Sequence, residues 1–192
     1  MRLTSAKLPL PLALVAALFT AALVLLVVSS LTPRNVATYV PDPAPPPAGI
    51  LVADTVTLDS RDPDRWTWFA FGRGRLDLPD TAGWDVAARR FQVITAGSVA
   101  RLDGPFDAVT MAPAAGYVAT VWARDTANPA MTRWYRYDFL SHLLRPAPAT
   151  FVLPARAGGH AKLQFLSYYC PGPEPGCLTF RYVYRSDSLN QF

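Results

Sequence analysis

The side chains able to do chemistry are few: His142 and His160 are the only histidines, and Cys170 and Cys177 the only cysteines. General-base or nucleophilic catalysis through histidine therefore rests on two positions. Ser141 precedes His142, but adjacency in sequence does not make a dyad, and no G-x-S-x-G elbow occurs. Gly72-Arg73-Gly74 is not followed by a helical pattern, so it does not read as a phosphate-cradling loop. Asp62 and Asp64 flank Pro63 and read as solvated turn carboxylates. A carboxylate pair assembled by the fold, as in glycosidases, would leave no mark in sequence. These residues predict a protein that is not an enzyme.

The cysteines stand in YYCPGPEPGCLTF. Their spacing is not C-x-x-C, no histidine or second pair lies nearby, and C-x-x-C-H is absent; the common metal and covalent-haem patterns are thereby excluded. The stretch between them is rich in Pro and Gly and flanked by aromatic and β-branched runs, which reads as a hairpin loop. A Cys170–Cys177 disulfide across its base is expected, and it implies an oxidising compartment.

The formal net charge of +4 is not a nucleic-acid signature. Three of the 18 basic residues and one of the 14 acidic ones precede Ile50, leaving 15 against 13 in the remainder. These are interspersed, with no basic run beyond Arg89-Arg90, whereas nucleic-acid binders gather positive charge on one face. No nucleic-acid partner is expected.

These groups must be positioned by what surrounds them, and the first element is apolar. Residues 12–31 read LALVAALFTAALVLLVVSSL, with no charge. About 20 residues at ~1.5 Å rise cross a hydrocarbon core of ~30 Å. Pro9 and Pro11 precede this run and Pro33 follows it, positions compatible with a helix start and stop. Signal-peptide cores are shorter, about 7–15 residues, and the nearest small-x-small candidate, Asn35-Val36-Ala37, begins poorly. No cysteine near the helix end offers an acylation site. Arg2, Lys7 and the α-amino group precede the run while Arg34 follows it, which places the N-terminus inside. The expected organisation is a cytoplasmic N-terminus (1–11), a transmembrane helix (12–32), a Pro-rich linker (33–49) and an extracytoplasmic β-domain (50–192). The expected location is a bacterial inner membrane, with the domain in the periplasm. Ala16, Ala17, Ala21, Ala22, Ser29 and Ser30 would permit close approach of another helix. The linker, with PDPAPPPAG, reads as an extended spacer.

Beyond Gly49 the apolar period is two. Strands are predicted at 50–58, 66–71, 89–95, 117–122, 133–139, 150–153, 161–169 and 178–184, with a helical turn within 80–88. Short strands separated by turn chemistry indicate an antiparallel sandwich or open barrel. Trp66, Trp68, Trp84, Trp122 and Trp134 all lie here. They read as core and sheet-face aromatics, or as a subset lining a pocket for a flat apolar ligand.

Three stretches, in order over 64–185, resemble the HmuY family of bacterial haem-binding proteins: RWTWFAFGRGR with GWDVAARRFQVITAG, then RWYRYDFLSHLLRP, then TFVLPARAGGHAKLQFLSYY with CLTFRYVY. The resemblance implies a mainly β, antiparallel HmuY-like β-sandwich or open barrel. Haem in the founding member is held by two axial histidines, so the resemblance offers His142 and His160 as haem ligands, with Met111 and Met131 as weaker substitutes. Without haem, no cofactor is expected. HmuY-like proteins are typically acylated lipoproteins, and a transmembrane helix in that place suggests a domain fixed beside a membrane complex. The expectation is an accessory, non-catalytic subunit partnered by integral membrane subunits and the lipid bilayer. Its architecture is similar in shape to auxiliary subunits of bacterial photosynthetic reaction-centre and light-harvesting complexes. The alternative is a membrane-tethered haem or tetrapyrrole binder.

Overall fold

The computed structural model describes residues 9–31, 35–42, 48–76, 83–123 and 126–192. The predicted cytoplasmic segment apart from its last three residues, the 32–34 junction, linker residues 43–47 and the 80–82 start of the predicted helical turn lie outside the described residues.

Helix α1 spans Leu10–Leu31, beginning two residues before the predicted span. The Pro9 carbonyl accepts from the Leu12 and Ala13 N–H groups at 2.9 and 3.1 Å, so Pro11 sits in the first turn, where its missing N–H costs nothing. The helix is apolar on every side, with a mean hydropathy of 2.8 over an 18-residue window within Leu10–Ser30, and is long and apolar enough to cross a membrane. Thr20 and Ser29 return their hydroxyls to the helix's own carbonyls, Ala16 at 2.8 Å and Leu26 at 2.9 Å, as a hydrocarbon surround requires.

The strands in chain order are β1 (Leu51–Asp59), β2 (Thr67–Ala70), β3 (Gly74–Leu76), β4 (Val86–Arg89), β5 (Gln92–Thr95), β6 (Ser98–Asp103), β7 (Tyr117–Ala119), β8 (Tyr135–Asp138), β9 (Leu143–Pro146), β10 (Ala149–Pro154), β11 (His160–Cys170) and β12 (Glu174–Arg185). They form a six-stranded sheet ordered β1-β12-β11-β10-β6-β7, a four-stranded sheet ordered β3-β2-β4-β5, and the β8–β9 pair. All the strand pairs within the two larger sheets are antiparallel.

The two larger sheets face each other through aromatic rings. Phe69 of β2 meets Phe180 and Tyr182 of β12 at 5.5 and 5.6 Å, and Phe71 meets Tyr182 at 5.2 Å, all edge-on. A row of phenylalanines continues across the large sheet, Phe151 to Phe165 at 5.5 Å and Phe165 to Phe180 at 6.0 Å. Alternation then sends Trp68, the neighbour of Phe69, to the other face of the small sheet. There it packs with Trp84, Ala87 and Ile94. The mainly β sandwich expected from the pattern is therefore the fold.

Individual elements differ from the prediction. The single strand expected at 89–95 is two strands, because Arg90 takes φ 53° and reverses the chain between β4 and β5. The helical turn expected toward residue 88 is instead strand β4. Val86, Ala87 and Ala88 are each fully buried, so this strand has no polar face to reveal its period. The start of the strand expected at 133–139 is a 3-10 turn, Met131–Arg133. Nor is the segment before Ile50 only a spacer. Thr38 bridges Tyr169, the Tyr39 N–H donates to Tyr169 O at 2.9 Å, and the Asp42 N–H donates to Thr57 O at 3.1 Å. Strand β10 pairs with β11 only from His160 to Leu163. The open edge further along β11 is where Ala37 to Tyr39 dock, and Ser167 donates its hydroxyl to Ala37 O there.

Candidate functional site

The two histidines lie in unlike places. His142 is exposed in the turn between β8 and β9, at φ 56°, with its ring 6.0 Å from that of Phe139. His160 opens β11, paired with Arg185 and Pro154. It is half-buried, and its Nδ1 is buried without a hydrogen-bond partner among the described residues. Leu144, two residues from His142, donates its N–H to the Tyr169 hydroxyl at 2.7 Å. Tyr169 is nine residues along β11 from His160, roughly 30 Å at the usual strand rise. Of the methionines, Met131 is fully buried, and Met111 is 57% exposed in a bridge to Gln191.

Cys170 and Cys177 are joined, with Cα atoms 4.9 Å apart, across the turn linking β11 and β12. The expected disulfide is present. Gly176 beside it takes φ +118°, and a Cβ there would collide with Arg61. That close approach lets Ser60 donate both its N–H and its hydroxyl to Gly176 O, at 2.8 and 3.1 Å.

Two buried charged groups were not singled out from sequence. Asp85 is 1% exposed and accepts from the Phe71 N–H at 2.8 Å and the Arg156 N–H at 2.6 Å. Burial pushes its carboxyl above the usual range; the two N–H donors and the Arg156 charge oppose that. It staples two turns together, and its lone pairs face backbone donors. Lys162 lies on the face of the large sheet away from Leu163 and Phe165, covered by the Phe106–Val109 segment, donating to Val109 O at 2.7 Å and Phe106 O at 3.2 Å, with Nζ 4.5 Å from the Phe106 ring centre. Desolvation lowers its pKa, Asp107 counteracts this and Arg181 reinforces it. Asp62 behaves as expected for a turn residue, accepting from the Asp64 and Arg65 N–H groups at 2.8 and 3.2 Å.

The tryptophans divide. Trp134 belongs to the core, 4.8 Å from Phe165, and donates Nε1–H to Phe91 O at 2.9 Å. The other four form a strip: Trp66 to Trp68 at 6.3 Å, Trp68 to Trp84 at 4.7 Å, Trp84 to Trp122 at 6.2 Å. The Arg89 guanidinium covers Trp66 at 4.7 Å. An apolar notch of about 130 Å³ lies by Phe91 and Tyr135, below the roughly 300–1,000 Å³ of ligand pockets. Two open grooves are larger and charged. One of about 530 Å³ holds the Asp59–Arg61 ion pair, and one of about 670 Å³ holds Arg101, Arg136 and Arg181. None of the three is lined by histidine.

This architecture recurs among solved structures. The apo HmuY analog of Tannerella forsythia superposes with a TM-score of 0.60 at 16% identity, over 71% of this chain and 97% of that one. The fold is HmuY-like. A candidate HmuY-like haem-binding protein of Bacteroides vulgatus gives 0.57 at 19% identity, over 70% and 93% of the two chains. A candidate lipoprotein of Bacteroides fragilis gives 0.59 at 21%, over 70% and 90%. No protein-family profile matches the chain, and no curated protein does. Neither His142 nor His160 borders any of the three cavities, so none of these brings the two together.

Proposed function

We propose that the chain is a membrane-anchored, non-catalytic accessory protein. In this reading α1 stays in the bilayer with its N-terminus in the cytoplasm, and the HmuY-like domain contacts extracytoplasmic subunits of an integral membrane complex. The observation that carries it is the docked tether. Ala37 to Asp42, just beyond the helix, are hydrogen-bonded onto β11 and β1. A domain gripped so close to its anchor suits a fixed subunit better than a mobile carrier. The apolar helix supports the location, and the disulfide supports an oxidising compartment. Asp85, the buried carboxylate, is occupied by backbone donors, which supports a non-catalytic role. Nothing in the similar structures points to a photosynthetic complex, so the partner is proposed only as an integral membrane assembly. Extraction in mild detergent followed by mass spectrometry of the co-migrating proteins tests this. Stoichiometric membrane subunits are expected, and a lone monomer would refute it.

The HmuY-like fold favours one other reading, a membrane-tethered haem or tetrapyrrole binder. Haemin titrated into the full chain in detergent would then shift the Soret band, and the exposed His142 is the ligand to test. A shift abolished by His142→Ala but kept in His160→Ala would favour this reading.

A further inference from the structure

The β8–β9 hairpin ends in apolar side chains that its own fold does not bury. Phe139 and Leu140 head the turn at 78% and 72% exposure, and Tyr137 is 53% exposed. The turn is a built one: Asp138 accepts from the Leu140 and Ser141 N–H groups at 3.1 and 3.3 Å. Behind the tip, Arg133, Arg136 and Arg145 are exposed, and Asp138 is the one carboxylate in this stretch. Arg136 also lines, with Arg101 and Arg181, the open groove of about 670 Å³. An apolar tip backed by arginines matches the boundary between headgroups and acyl chains, where apolar groups sink about 5–10 Å and cations meet lipid phosphates.

Chain length brings such a boundary within reach. Ala37 follows Leu31, the last residue of α1, by six positions, a span of about 20 Å at most. Ala37 to Tyr39 are fixed on Ser167 and Tyr169. Tyr169 is also the residue whose hydroxyl holds Leu144 at the base of the hairpin. The docked tether and the base of the hairpin therefore both meet Tyr169.

We propose that the β8–β9 hairpin is a second membrane contact. Phe139 and Leu140 enter the interface of the bilayer spanned by α1, and Arg136 and Arg145 lie at phosphates of anionic lipid. The proposal rests on α1 being a retained anchor. The test uses the full chain in nanodiscs of phosphatidylcholine and phosphatidylglycerol, with an environment-sensitive fluorophore on Leu140→Cys. Ala157→Cys, exposed in the turn at the other end of β11, is the control. Blue-shifted emission at position 140, quenched by lipids carrying a shallow nitroxide, is expected, with position 157 unquenched. Arg136→Ala should lower the docking equilibrium constant by roughly fivefold, the effect of losing one arginine at an anionic surface. Equal solvent exposure at both positions, in discs that retain the chain on gel filtration, overturns the proposal while leaving the anchor intact. Protection at 140 that appears only with a partner complex also overturns it, by making the tip a protein contact. A chain that leaves the discs overturns the anchor reading and this one with it.

Discussion

Hairpin β11–β12 runs 11 and 12 residues, closes with a disulfide, and buries Leu163, Phe165, Phe180 and Tyr182 to 3% exposure or less. Hairpin β8–β9, in the same domain, has four residues on each side and turns at Phe139 and Leu140, which are mostly exposed. Both are rich in aromatic residues, so composition alone would give them the same role. What separates them is the surface each ring meets. In β12, alternate rings face β2 across the sandwich; at the tip of β8–β9, Phe139 and Leu140 stay exposed among the described residues. Hydrophobicity in the first hairpin holds the fold together, and in the second it is left available for something outside the domain.

Truncation should separate the two most sharply. Phe180→Ala removes a fully buried ring that touches Phe69, Phe165 and Tyr182, and should cost about 3–5 kcal/mol in denaturant unfolding. Phe139→Ala should change stability by less than about 0.5 kcal/mol, as for other exposed positions. Comparable losses from the two would remove the distinction. The disulfide gives a smaller effect on the same side. With a separation of 7 residues, the chain-entropy relation gives about 2 kcal/mol for its loss in a Cys170→Ser/Cys177→Ser variant. The loss should be the same whether the variant is in detergent or in nanodiscs, since the loop it closes belongs to the core hairpin.

Sequence showed the core hairpin well and the rest unevenly. Strands β1, β11 and β12 alternate visibly because one face meets a core and the other is polar. Strand β4 was hidden since Val86-Ala87-Ala88 is buried on both faces, and β6 since Ser98 to Asp103 mixes small, apolar and charged residues without a clean period. Arg90 and His142 both hold positive φ without being glycine, which no turn rule flags. Cys170 and Cys177 could be paired from their spacing because the loop between them is so short. Separation in sequence gave no warning that His142 is exposed in a turn at positive φ while His160 opens a strand with its Nδ1 buried; each depends on where β9 and β11 begin. Asp85 escaped notice for a related reason, because its partners are backbone N–H groups of Phe71 and Arg156, and backbone leaves no motif.

High pH offers the gentlest probe of the core hairpin, because its titrating groups lie on these two strands. Tyr182 has its pKa pushed up to about 12 by burial, with the nearby Asp54 charge adding to it. Tyr168 and Tyr184 are also raised by burial. Between the ordinary tyrosine value of 10.0 and the raised one, the folded chain keeps a proton that the unfolded chain has released. The stability tied to that proton is fully present below pH 10.0 and is lost as pH rises through the folded value. Lys162 works in the opposite sense: with its folded pKa lowered below 10.5, its contribution to stability improves with pH across its own window. Four tyrosines, counting Tyr117 of β7, which burial also raises, against one lysine predict a net fall in melting temperature above pH 10, measured by circular dichroism on the full chain in detergent. Tyr182→Phe should flatten that fall, having removed the most strongly shifted proton. An unchanged slope in this variant would mean that Tyr182 reaches solvent before the hairpin opens, and that β12 is looser than its burial implies.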